Sequence, residues 1–98
     1  MQRTFNTLAR EDAETIALQA LAFLASEESR LSHFIAQTGI TLEDLHVRAN
    51  EPDVLRAALD ILTQDEPNLL MFAANAGLDA ERVVQAHATL EGPHERSI

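Results

Sequence analysis

VLRAALDILTQDEPNLLMFAANAGLDAERV, residues 54–83, repeats IALQALAFLASEESRLSHFIAQTGITLEDL, residues 16–45, without a gap at an offset of 38 positions. Nine of the thirty aligned pairs are identical: Ala20/Ala58, Leu21/Leu59, Leu24/Leu62, Glu28/Glu66, Leu31/Leu69, Phe34/Phe72, Ala36/Ala74, Gly39/Gly77 and Glu43/Glu81. Unrelated stretches of so Ala- and Leu-rich a chain would share about two or three, so the repeat is genuine. What recurs is apolar anchors, acids where helices start and glycines where they stop. These are the parts that build an architecture.

Each unit reads helix, helix, glycine, helix. The first helix runs to about Ala25, with Thr7 or a neighbour as its cap and Glu11, Asp12 and Glu14 in its early turns. Its second half, from Ile16 to Leu24, is apolar on most of its circumference, as befits a central helix or one that meets a partner. Ser26, Glu27 and Glu28 restart a helix that carries Leu31, Phe34 and Ile35 and stops at Gly39, the residue best suited to a left-handed terminus. Thr41 and Asp44 have the spacing of a capping box that opens a short third helix through Leu42 and Leu45. Asn50 is the expected cap of the second unit, with Pro52 in the first turn and Leu55, Leu59 and Leu62 on one face. Asp65 and Pro67 then open an almost wholly apolar helix, Leu69 to Ala74, stopped by Gly77. Asp79 caps a sixth helix carrying Val83, Val84 and Leu90 before Gly92 and Pro93 end it. No segment alternates with period two, which excludes strands.

The expectation is therefore an all-α, compact bundle of five to six short helices, built as two tandem units. At 98 residues it forms a single domain, 1–98, with units at about 13–49 and 51–91 and a frayed tail at 92–98. Phe34 and Phe72 should point toward a shared core, related by a pseudo-twofold or a superhelical step. Two units are fewer than a free-standing solenoid usually needs, which favours the closed bundle.

Sixteen acids against seven arginines give a net charge of -9, a balance that repels a phosphate backbone and makes nucleic acid an unfavourable partner. Ten of those acids (Glu27, Glu28, Glu43, Asp44, Glu51, Asp53, Asp65, Glu66, Asp79 and Glu81) fall where helices begin, where a carboxylate interacts favourably with the helix dipole. There is no cysteine, hence no disulfide, thiolate ligand or cysteine nucleophile. The start of the chain lacks the apolar core of a secretory signal and no apolar run exceeds six residues, so the expectation is a cytoplasmic protein without a membrane segment.

The segments Ala20–Ala25 (ALAFLA), Gly39-Ile40, Leu59–Leu62 (LDIL), Asp65-Glu66 and Leu69–Leu78 (LLMFAANAGL) resemble a family of small, uncharacterised alphaproteobacterial proteins with a Phe-Leu-Ala motif, matched at Phe23, Leu24 and Ala25. The similarity spans most of residues 13–90. It implies a helical bacterial protein and brings no activity or site residue with it.

Several chemical constellations compete with plainer readings. Ala73, Gly77 and Val83, and in the first unit Ile35, Gly39 and Leu45, fit a helix-turn-helix, but the helix after Gly77 offers Asp79, Glu81, Arg82, Gln85 and His87, a single fixed cation for DNA. Glu43-x-x-His46 has the spacing of a di-iron pair, yet its only analogue, Glu91-x-x-His94, is interrupted by Gly92 and Pro93. His33, aligned with Met71, is expected at a half-buried helix position, and His87 is expected to face solvent. Asp65/Glu66 are explained by helix starts, and the isolated glycines make no phosphate loop. The reading is no enzyme, no catalytic residue, no cofactor and no metal. What remains is an apolar surplus, Leu8, Leu18, Leu42, Val47, Leu70 and Met71, hard to place all at once inside two small units: either an irregular bundle buries it, or a groove between the units accepts an amphipathic helix. Of these, Leu18, Leu42, Val47, Leu70 and Met71 form the candidate interaction surface of a noncatalytic protein-interaction module, by self-association as a homo-oligomer or by capture of a partner helix. The alternatives are a helix-turn-helix regulator and a small-ligand or metal-binding helical protein. Where the units differ (His33/Met71, Ser32/Leu70, Ala22/Asp60, Arg48/Ala86) is where function should sit.

Overall fold

The computed structural model describes residues 8–91 and consists of six α-helices: α1 (Arg10–Ala25), α2 (Glu28–Thr38), α3 (Leu42–Arg48), α4 (Pro52–Thr63), α5 (Glu66–Ala76) and α6 (Ala80–Glu91). No strand occurs among the described residues, and the chain is an all-α bundle. The expected tail at 92–98, the stop at Gly92 and Pro93 and the cap at Thr7 lie outside them.

The offset of 38 carries element boundaries as well as residues. α2 maps onto α5 from end to end, α1 and α4 stop together at Ala25 and Thr63, and α3 and α6 start together at Leu42 and Ala80. Gly39 and Gly77 take φ values of 76° and 72° as left-handed caps, the conformation that an L side chain resists. The ten helix-start acids all fall at caps or first turns. Asp65 accepts a hydrogen bond from the Asn68 amide, and Thr41 and Asp44 form the reciprocal capping box. α1 is preceded by Ala9, which has no side-chain acceptor. Two expected caps differ. α4 is preceded by Glu51 rather than Asn50, because the Pro52 ring drives the residue before it into an extended conformation (ψ 143°). Ser26 closes α1 instead of opening α2, its hydroxyl donating to the Phe23 carbonyl at 2.7 Å.

Core positions recur between units: Ile16/Val54, Ala17/Leu55, Ala20/Ala58, Leu21/Leu59, Leu24/Leu62 and Phe34/Phe72 are all buried. α1 and α4 pack against each other, and α6 packs against both. The rings of Phe72 and Phe23 lie 5.5 Å apart at 55°, a tilted pair that joins the second unit to the first. Arg30, ion-paired to Glu27 at 2.9 Å, places its guanidinium 4.2 Å from the centre of the Phe23 ring.

The third helices break the symmetry. α3 has 7 residues and buries none, whereas α6 has 12 and buries Val83, Ala86 and Leu90. The physical reason is Pro52. It stands where the second unit has Leu90, so the chain must turn out of α3 to start α4, while α6 continues to Glu91 and fills the space between α1 and α4. The junction is held by Arg48, which donates from Nε to Glu51 at 3.0 Å and from Nη2 to Asp53 at 2.6 Å. The mirrored composition of the two units therefore does not produce two equivalent three-helix packings.

Candidate functional site

The short α3 leaves the seam between α1 and α3 open. Leu18, Leu21, Ala22 and Ala25 of α1 face Leu42, Leu45 and His46 of α3, with Ala49 just beyond, across a groove of about 330 Å³ whose lining is almost wholly apolar. Its lining includes Leu18 and Leu42 in exposed positions, whereas Val47, with 74% of its surface in solvent, is on α3 but outside the lining. Leu18 also borders a neighbouring concavity lined by Glu11 and Glu14, so the groove passes from apolar to acidic at that end. Leu70 and Met71, about half exposed, form a separate apolar patch on α5, where the Arg30 guanidinium approaches the Met71 sulfur at 4.0 Å. All five candidate surface residues are exposed, Leu8 is half-buried, and α5 is apolar beyond what packing uses.

The repeat supplies an internal control on these side chains. At the offset of 38, Leu18 corresponds to Arg56, Leu42 to Ala80, Val47 to Gln85, Leu70 to Ser32 and Met71 to His33. On the matching helices α1/α4 and α2/α5 the other unit is thus built with a polar residue in place of Leu18, Leu70 and Met71; α3 and α6 pack too differently for Leu42 and Val47 to be judged this way. Packing does not require those three to be apolar.

The equivalent seam of the second unit, between α4 and α6, is closed and differently equipped. Asp60, which replaces Ala22, faces His87, which replaces Ala49, and Glu91 joins them from the last turn of α6. His87 Nε2 lies 3.3 Å from Asp60 Oδ1 and 3.5 Å from Glu91 Oε2. One ligand atom from each of the three residues lies within 4.8 Å of the other two. The Nε2 atom is buried and has no hydrogen-bonded partner. The expectation that His87 faces solvent is corrected: its side chain is 20% exposed, because α6 is packed between α1 and α4. Reading His87 and Glu91 as one helical face (i, i+4) and adding the flagged mismatch Ala22/Asp60 would have found the cluster. The 26 residues between Asp60 and His87 hid it.

The other candidates fare differently. His33 is exposed rather than half-buried, on the rim of a cleft shared with Arg30, Ile61 and Asn68. Glu43 and His46 are exposed, and the carboxylate that is engaged on α3 belongs to Asp44. Hydrogen bonds from the Thr41 amide and hydroxyl, with Arg48 nearby, hold Asp44 below its ordinary carboxylate range, while Glu51 and Asp53 hold Arg48 above its own. Of the helix-turn-helix signature, Ala73 and Val83 are buried packing residues. The outer face of α6 presents Glu81, Arg82, Val84 and Ala88. No polar or charged residue among those described is fully buried, and none of the described helices is long and apolar enough to cross a membrane.

No curated protein and no solved structure matches this chain. The model of the family DUF3572, described as a protein of unknown function, matches residues 10–93, and the chain belongs to that family.

Proposed function

We propose that this protein is a noncatalytic docking module whose α1–α3 groove receives an amphipathic helix of a partner protein, one with an apolar stripe flanked by Lys or Arg. The carrying observation is the pair Leu18 and Leu42, exposed in the lining of an apolar groove, with Arg56 and Ala80 at their positions in the second unit. Apolar side chains that the framework can spare, gathered on one seam, fit the helix-in-groove mode of recognition.

Charge selects the occupant. A chain of net charge -9, with Glu11 and Glu14 beside one end of the groove, attracts a cationic helix and repels a second molecule of itself. Self-association through this face is the disfavoured form of the same idea. DNA recognition has less support, since the outward face of α6 carries the single cation Arg82 beside Glu81.

The test uses a fluorescent Leu/Lys amphipathic helical peptide as probe and the full chain as receptor. Saturable binding is expected for the unaltered protein, with about tenfold or greater weakening when Leu18→Arg and Leu42→Ala are combined, each about 1.4 kcal/mol being a factor of ten. Both changes import the residue that the second unit already carries at that position, so unfolding is not the expected cause of the loss. Absence of binding, binding indifferent to the substitutions, or a dimer that the same substitutions dissociate would each overturn the assignment.

A further inference from the structure

We propose that Asp60, His87 and Glu91 form a binding site for a divalent transition-metal ion of the zinc type, at the seam of α4 and α6. The first argument is distance. Around a tetrahedral zinc with ligand bonds of about 2.0–2.1 Å, neighbouring ligand atoms lie about 3.3–3.4 Å apart. The two separations from Nε2, 3.3 and 3.5 Å, match that edge, and the third lies within 4.8 Å.

The second argument is the state of the imidazole. Nε2 is shielded from solvent, and neither carboxylate stands where it could accept a hydrogen bond from that nitrogen. In a tetrahedral site the oxygens sit about 35° off the imidazole axis, which suits an ion on that axis and strains a proton shared with either oxygen. His87 in its Nδ1–H tautomer would ligate through Nε2, and the two carboxylates would neutralise the charge of the ion. The fourth position is left to water, since Asp60 and Glu91 are nearly half exposed.

The third argument is placement. All three ligands are specific to the second unit, where Ala22, Ala49 and Asp53 are their counterparts, and none has a role in the shared framework. Asp60 comes from the last turn of α4 and the other two from the last turns of α6. An ion held between them ties the C-terminal end of α6 to α4, and its binding free energy adds to the stability of that contact.

The experiment is calorimetric titration of the full chain, after dialysis against a chelator, with zinc chloride at pH 7.5, repeated with cobalt(II) to read coordination from its visible d–d absorption. One ion per chain, a rise in melting temperature and a tetrahedral cobalt spectrum are expected. Both His87→Gln and Glu91→Gln should weaken binding by about tenfold or more, and Glu81→Gln, an exposed carboxylate on the same helix, should not. Glu91 lies in the last turn of α6, so its substitution keeps the test valid if the His87 variant fails to fold. No binding, binding unchanged by the two variants, or stability that responds to pH but not to zinc, as a proton alone between the groups would give, overturns the proposal.

Discussion

Leu59→Ala and Leu42→Ala delete the same three carbon atoms from two leucines with opposite duties. Leu59 is fully buried on α4, and Leu42, at the mouth of the groove, is 52% exposed. Three methylene equivalents at about 0.8 kcal/mol each give about 2.4 kcal/mol of lost transfer free energy for Leu59. The void left among α1, α4 and α6 raises the total to about 3–4 kcal/mol, within the range of enclosed Leu→Ala changes. At Leu42 about half of that area is already in water and truncation opens onto solvent, so the cost is about 1 kcal/mol with no cavity contribution. For a domain of this size 1 kcal/mol displaces the melting temperature by roughly 4–8 °C. Leu59→Ala should therefore melt on the order of 15–25 °C lower, and Leu42→Ala about 4–8 °C lower, in thermal scans followed by far-UV circular dichroism. Urea titration should give unchanged slopes, so that midpoints report stability alone. Equal losses in the two variants would refute the reasoning, because Leu42 would then be a core residue and the groove a packing site.

Gly39→Ala and Gly77→Ala meet no atom within 4 Å, so each should cost only the left-handed backbone strain, about 1–2 kcal/mol, and the two should agree in chemical denaturation. Asp44 has a folded value below its ordinary 3.8, so its contribution to α3 is complete above that pH and is lost as pH falls through the lower folded value. Amide protection factors in α3, taken relative to the intrinsic exchange rate at each pH, should accordingly fall in acid, and Asp44→Asn should show the lowered protection already at neutral pH. Ala86→Arg places a cation in a fully buried position and should abolish the cooperative melt, whereas the mirror exchange Arg48→Ala should leave helical content intact by circular dichroism. Equal damage from the two would contradict the inequality of α3 and α6.

The helices, their order and most of their ends were legible in the sequence because each end carries a local chemical cause: a glycine needing positive φ, a carboxylate at a helix start, a Thr41–Asp44 pair in register. The repeat made the shared core legible as well, since Leu21/Leu59 and Phe34/Phe72 recur for packing reasons. It misled at the third helices. Equivalent starts at Leu42 and Ala80 suggested equivalent packing, but Pro52 ends the first early and Leu90 lets the second continue. The expectation that His87 faces solvent failed for the same reason. Whether a residue of α6 faces solvent depends on what α6 packs against, and that is decided by α1 and α4, far away in sequence. The mismatch Ala22/Asp60 was visible, and it proved to mark both seams: Ala22 lines the open groove and Asp60 faces His87 across the closed one.

The divergence of those two seams is most directly tested by amide chemical-shift mapping of the full chain during titration with the Leu/Lys helical peptide. Shifts should concentrate on Leu18, Ala22, Leu42, Leu45, His46 and Ala49, leave Asp60, His87 and Glu91 unperturbed, and diminish as added salt screens the acidic rim. Shifts centred on the α4–α6 seam, or none at peptide concentrations that saturate the optical signal, would contradict a docking groove between α1 and α3.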